Sequence, residues 1–293
     1  MNDRNYVLKN NSFQLIVDKK GAEMSHFFCL NGKYEFIWSA NPLIWNRHAP
    51  VLFPIVGKLN KDIVLIDQKE YVMGQHGFAR DHDFVLVEKN ENSLTFLLND
   101  NEETFKKYPF LFKFYIIYSF TEIENQLKIT YKVQNLNNKV MPFSVGAHPG
   151  FKLPSDNLTE YEIDFYRLDN INRELLKDGL FINENEILYL NNSKLQLSKE
   201  LFDKDAIVIK NTSFKKISLI HKKSNYKIDC IFEDFNDLGI WAKKGNEDFI
   251  CLEPWLGYAD ELDFNEDIDF KKGIIKLAPF KTFEASYYLN FTI

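Results

Sequence analysis

The chain is poor in the residues that announce cofactor and metal chemistry. It has three cysteines in 293 residues, Cys29, Cys230 and Cys251. The number is odd, no two have metal-ligand spacing, and each lies in an apolar run. That usage argues against a disulfide framework, for a reducing compartment, and for small buried hydrophobes. Glycine-rich phosphate loops, a dinucleotide-binding glycine fingerprint, a Gly-x-Ser-x-Gly elbow and Cys-x-x-Cys are all missing. Basic residues are in deficit: the net charge of −6 argues against a nucleic-acid partner. Long apolar runs are missing too. The most apolar stretch, 110–120, is short and carries Lys113, so it cannot span a bilayer as a helix. The first residues, Met1-Asn2-Asp3-Arg4-Asn5, do not read as a secretory leader. The expectation is a cytoplasmic protein with no membrane and no nucleic-acid partner.

What the chain has in quantity is aromatic side chains, 27 Phe and 14 Tyr. These favour strands, and Tyr and Trp also favour ligand-lining surfaces. Alternation recurs almost throughout. In 126–133, Leu127, Ile129, Tyr131 and Val133 share one face, with Lys128, Thr130 and Lys132 on the other. Asn31-Gly32 marks a hairpin, and Ile63–Ile66 with 69–73 a second. Residues 101–107 predict a turn or two of helix, and the polar run 183–192 a surface excursion. No linker or repeat interrupts the pattern, so 1–293 reads as one all-β domain, a large antiparallel sandwich.

The polar residues able to do chemistry sit at strand ends marked by Gly or Pro. In Ser144-Val145-Gly146-Ala147-His148-Pro149-Gly150-Phe151, proline holds the preceding histidine in extended backbone and Pro-Gly turns the chain. His148 is thereby held at a fixed angle; a buried histidine bonded to a carbonyl is the competing reading. Glu253, in Phe249-Ile250-Cys251-Leu252-Glu253-Pro254-Trp255, follows an apolar run and is not a solvated glutamate by pattern. It is either paired or a desolvated acid/base with a raised pKa. One imidazole and one carboxyl make a plausible proton donor and acceptor. Residues 44–58 hold two prolines that rule out a long central strand, with Asn46, Arg47 and His48 beside them as a wall for a cleft. His76 and Arg80 lie in His-Gly-Phe-Ala-Arg, and Asp205 precedes Ala206. His76 and His82 lack the spacing and carboxylate of a zinc site, so no metal is expected.

Taken in order, five motifs resemble the aldose 1-epimerase (galactose mutarotase) superfamily. They are Arg-x-x-Pro-x-x-Phe-Pro-x-x-Gly from Arg47 to Gly57, His-Gly-Phe-Ala-Arg from His76, Gly-x-His-Pro-Gly-Phe from Gly146, Asp205-Ala206, and Glu253-Pro254-Trp255. The chain looks most like the LacX-type branch, close to the hexose-6-phosphate mutarotases. The resemblance implies a β supersandwich and cofactor-free interconversion of α and β anomers of a hexose. It implies Glu253 as the base taking the anomeric proton and His148 as the acid protonating the ring oxygen. His76, Asp205, Arg47 and Arg80 would bind the substrate. The partner would be a small sugar or sugar phosphate, the assembly a monomer or homodimer. A non-catalytic sugar-binding protein of the same fold is the alternative. The match is not to the galactose enzymes themselves: their Gly-Arg-x-x-Asn-Arg is Gly57-Lys58-Leu59-Asn60-Lys61 here. Arg47 and Arg80 suit a bidentate phosphate clamp, or local pairing with Asp81 and Asp83.

Overall fold

Alternation of buried and half-exposed side chains gives this chain its sheets. In Phe112–Phe120 every second residue, Phe112, Phe114, Ile116, Tyr118 and Phe120, is buried, and the residues between them are partly solvated. Such a strand must lay one face on an apolar layer. The computed structural model describes residues 5–293, so the reading of the amino terminus falls partly outside the described residues. The strands pair antiparallel and build two large sheets.

The first has nine strands, in spatial order Lys194–Gln196, Tyr161–Asp164, Lys216–His221, Lys227–Ile231, Thr282–Thr292, Gln126–Asn135, Phe112–Phe120, Ser93–Asn99 and Val85–Lys89. The second runs Leu180–Tyr189, Asn170–Lys177, Ile207–Ile209, Asp237–Trp241, Phe249–Leu256, Val145–Ala147, Val51–Leu52, and Gly150–Lys152 also pairs with Phe249–Leu256. A four-stranded sheet, from Asn5–Lys9 to Tyr34–Glu35, closes one side. One apolar cluster draws on all three, including Phe114, Leu252 and Phe27. Phe53 stacks on Phe114 with ring centroids 4.5 Å apart, and Phe27 meets Phe291 at 4.4 Å. Each such ring, fully buried, contributes about 1.5–3 kcal/mol. The architecture is the antiparallel sandwich that the alternation predicts.

The expected hairpins form, Ile63–Ile66 with Lys69–Val72 and Glu23–Cys29 with Tyr34–Glu35. The short helix is Glu102–Lys107, where Asn101 caps the start by accepting from the Glu103 and Thr104 amides. One reading is corrected. Residues 183–189 are not a surface excursion; they belong to the strand Leu180–Tyr189, paired with Asn170–Lys177. This strand lies at the sheet's edge with its distal half largely solvated, so no apolar alternation marks it.

Candidate active site

The strand Phe249–Leu256 is buried along its whole length. Ile250, Leu252 and Leu256 enter the main core. The alternate residues, Phe249, Cys251, Glu253 and Trp255, face the other way, into two smaller apolar clusters and a cleft. Trp255 can lie flat there because its neighbours have no side chains. A Cβ on Gly239 would stand 2.6 Å from the Trp255 ring, and one on Gly146 2.6 Å from Trp255 Cδ1. The indole N–H donates to the Ala147 carbonyl at 3.1 Å.

Register brings His148 to Glu253. Gly146 pairs with Trp255, and Gly150 pairs with Cys251. Continuing the ladder from either side sets His148 opposite Glu253 on the same face. Pro149 has no N–H to give the ladder, so pairing lapses there and the imidazole is held in the gap. His148 Nδ1 is 3.3 Å from Glu253 Oε2, and the Glu253 side chain is 1% exposed. Alignment falls short of a hydrogen bond, so Nδ1 and both carboxylate oxygens have no hydrogen-bond partner among the described residues. Trp45 stacks on the His148 ring at 5.0 Å, while His76 and Trp241 meet it edge-on, each at 5.6 Å.

The cleft encloses about 270 Å³, near the lower end for small-molecule sites. His148, Glu253, His76, Arg80 and Asp205 all line it. His76 has φ of 68°, a conformation uncommon outside glycine and frequent at functional sites. The Gly57 N–H donates to His76 Nδ1 at 3.1 Å, so the neutral ring carries its proton on Nε2. Arg80 donates to the Gln75 carbonyl at 2.7 Å. Asp205 also has positive φ, 71°, and its Oδ1 accepts from the Ala206 amide.

Arg47 lies outside the cleft lining. It pairs with Asp81 Oδ1 at 2.7 Å and donates to the Arg80 carbonyl at 3.2 Å. The loop that carries it reaches the cleft through Trp45 rather than through Asn46, Arg47 or His48. Buried Glu23 anchors this loop, accepting from the His48 and Ala49 amides at 2.6 and 2.8 Å. Among the described residues, neither His76 nor His82 belongs to a group of three ligand-type side chains.

Sequence reasoning missed Arg173. It is 2% exposed and donates to the carbonyls of Leu201 and Asp205, at 2.9 and 2.8 Å, fixing the turn that presents Asp205. The available signal is alternation, which puts Arg173 on the same face as buried Ile171, though the polar residues on either side, Asn172 and Glu174, obscure it. Trp241, which ends the strand Asp237–Trp241, and Lys243 also line the cleft, and no local pattern ties either of them to it.

Burial dominates the electrostatics. It pushes Glu253 well above the ordinary carboxylate range, and the charge of Asp205 adds to the effect. It pulls His148 well below the usual imidazole value, with the charge of Arg80 next in weight. His76 is lowered too, by burial first and then by His148 and Arg80. Both shifts favour the uncharged forms, in which the His148–Glu253 pair shares one titratable proton resting on the carboxyl. A buried one-proton pair can give a proton at one atom and take one at another without changing its charge.

The fold and this histidine–glutamate pair define a class. The sequence profile of the aldose 1-epimerase family matches residues 4–271, and the chain belongs to that family. It is similar to the plasmid LacX protein of Lactococcus lactis subsp. lactis, 30% identical over 292 residues covering 96% of this chain and 97% of that one. Among solved structures it resembles a galactose mutarotase related enzyme from Lactobacillus acidophilus, with a TM-score of 0.94 and 37% identity over 99% of this chain and 97% of that chain. A galactose mutarotase-like protein from Lactobacillus casei superposes with a TM-score of 0.91 at 28% identity, over 98% of this chain and 100% of that chain. The sandwich is thus the galactose mutarotase-like fold.

Proposed function

We propose that this protein is an aldose 1-epimerase that interconverts the α and β anomers of a hexose by opening and closing the ring. The observation that carries the reading is the His148–Glu253 pair on the cleft wall, 3.3 Å apart and otherwise unbonded. In the acting state Glu253 is a carboxylate and His148 carries the shared proton. Glu253 removes the proton of the anomeric hydroxyl, and the freed O1 electrons form the C1=O1 bond. The C1–O5 electron pair moves to O5, which takes the proton from His148. With Nδ1 turned to the carboxylate, Nε2 is the nitrogen that meets the sugar. Rotation about C1–C2 exposes the other face of the aldehyde, and closure returns both protons. The cycle consumes no proton and no electron.

The other residues bind. His76 Nε2–H, Arg80 and Asp205 offer two donors and an acceptor to hydroxyls around the ring. Trp45 and Trp241 offer flat apolar faces to its C–H surface. Arg47 acts through the segment it holds, by fixing Arg80 and Asp81. Arg80 and Lys243 are two cationic side chains in the lining, which supports a phosphorylated hexose as a second substrate reading.

The test is polarimetric mutarotation of glucose, galactose and their 6-phosphates. His148→Ala and Glu253→Ala should each lose about 10²–10⁴ in rate, the usual worth of general acid–base catalysis. Unchanged rates in both variants overturn the assignment. Saturable sugar binding with no turnover by the native chain makes it a sugar-binding protein instead.

A further inference from the structure

The sheet geometry that pairs His148 with Glu253 also brings in a thiol. Cys251 is two residues before Glu253 on the same strand, so both side chains leave the same face. Its partners across the ladder are Gly150 on the side of His148 and Trp241 on the other, so no cross-strand side chain stands between the thiol and the His148 strand. A His148 ring nitrogen, Cys251 Sγ and a Glu253 oxygen all lie within 4.8 Å of one another. Among the described residues this is the one such grouping of histidine, cysteine and carboxylate side chains.

We propose that His148, Cys251 and Glu253 form a three-ligand site for a zinc-class divalent transition metal ion, open to the cleft, whose occupancy arrests the enzyme. Three observations support it. The first is spacing. Bonds of about 2.0–2.3 Å in tetrahedral geometry place ligand atoms roughly 3.3–3.8 Å apart. Nδ1 and Oε2 already stand at 3.3 Å, and the sulfur lies within 4.8 Å of a ring nitrogen and a carboxylate oxygen, so the sulfur is the group that has to close in. The second is unmet bonding capacity. Nδ1, Oε1 and Oε2 are buried and without hydrogen-bond partners, although the Glu253 side chain is 1% exposed. Atoms of that kind are rare in folded proteins and call for a partner. The third is donor type. Imidazole nitrogen, sulfur and carboxylate oxygen together select zinc, cobalt and their neighbours over magnesium or calcium. Thiolate and carboxylate also neutralise the two charges of the ion in a buried place. His148 and Glu253 both line the cleft and Cys251 lies behind them, so the open coordination position would be on the cleft side.

The ion would occupy the Glu253 carboxylate that has to take the anomeric proton and would bind His148 through Nδ1, so the ring could no longer hold the shared proton; metal and turnover therefore exclude each other. That consequence rests on the proposed epimerase reading; binding itself does not. Cys251 has no part in the proton transfers and sets only the susceptibility. Cys29 and Cys230 serve as controls, since neither belongs to the grouping.

The test uses the full chain with Co²⁺ as a spectroscopic probe and Zn²⁺ as competitor and inhibitor. The native chain and Cys230→Ala should each bind one Co²⁺ with a thiolate-to-metal charge-transfer band, abolished by Zn²⁺, and Cys251→Ala should lack the band. Zn²⁺ should stop polarimetric mutarotation reversibly, with recovery on adding EDTA. Cys251→Ala should keep its metal-free rate and need at least tenfold more Zn²⁺ for half-inhibition. Cys251→Ser, closer in size, replaces it if circular dichroism shows Cys251→Ala misfolded. Absence of the thiolate band, or the same zinc sensitivity after loss of Cys251, overturns the proposal. A band in a chain that turns over no sugar keeps the metal site and refutes the epimerase reading alone.

Discussion

Glu253→Gln should make the protein more stable and less active, and its stabilisation should depend on pH in a defined sense. The carboxyl is 1% exposed and neither oxygen is hydrogen-bonded. Burial raises its pKa well above 4.5 in the folded state, while in the unfolded chain it returns to the ordinary value. Between the two values the folded state binds more protons than the unfolded state, so stability falls as pH rises through that window. Below the unfolded value both states are protonated and nothing is lost. The amide of the variant has no such titration, and its NH₂ can donate to His148 Nδ1, which accepts nothing in the native chain. Each unit of pKa elevation costs the native chain about 1.4 kcal/mol once pH exceeds the folded value. Allowing for the new buried amide, a net gain of about 1–2 kcal/mol near pH 8 follows, the usual size of a stability–activity trade-off. At about 2–4 °C per kcal/mol for a large domain, the melting temperature should rise by several degrees at pH 8. The gain should vanish near pH 4. Mutarotation should fall by about 10²–10⁴, equivalent to roughly 3–5 kcal/mol of transition-state stabilisation. Thermal unfolding across pH 4–9 and polarimetry on the same preparations read both effects. A gain independent of pH, or native turnover, refutes the claim that desolvation both destabilises and activates this carboxyl.

Two further outcomes test the supports of the site. Arg173→Met removes both bonds to the Leu201 and Asp205 carbonyls; it should cost about 1–3 kcal/mol in denaturant unfolding. It should also raise KM more than it lowers kcat, with partial rescue by Arg173→Lys, because Asp205 binds and does not transfer protons. Gly239→Ala drives a methyl to 2.6 Å from the Trp255 ring; the displaced indole should cost about 1–3 kcal/mol and alter the near-ultraviolet circular dichroism.

Legibility from sequence followed how local each cause is. The sheets were readable because alternation is a local signal, as in Phe112–Phe120 and Gln126–Asn135. Glu253 and His148 were readable as unusual because apolar neighbours and Pro149 mark them within a few residues. Their opposition across the ladder was not readable, since it depends on how two distant segments pair on one strand. Leu180–Tyr189 was misread because an edge strand needs no apolar face. Alternation with buried Ile171 hints that Arg173 is buried, but its partners, the Leu201 and Asp205 carbonyls, come from a distant turn that nothing in Asn170–Lys177 encodes. For Arg47, the motif and the adjacent aspartates pointed two ways, and geometry places it with Asp81 and the Arg80 carbonyl.

The central strand explains why acid–base chemistry arises at this point of the sandwich. A strand covered on both faces normally carries apolar side chains throughout, and Phe249–Leu256 does so except at Glu253. Aromatic rings on either side keep water from the carboxyl: Trp255 lies across Gly239 and Gly146, and Trp45 lies on His148. The cost of burying that carboxyl without a hydrogen bond is offset by the large core beneath it, to which Ile250 and Leu252 of the same strand contribute. The same desolvation moves the Glu253 pKa up and the His148 pKa down, so burial favours an uncharged carboxyl beside an uncharged imidazole. Forming the carboxylate and imidazolium that would act on a sugar therefore costs free energy in the empty cleft, and a substrate that meets both groups has to offset it. Because the acid of one direction is the base of the other, one such pair would serve conversion from α to β and from β to α alike.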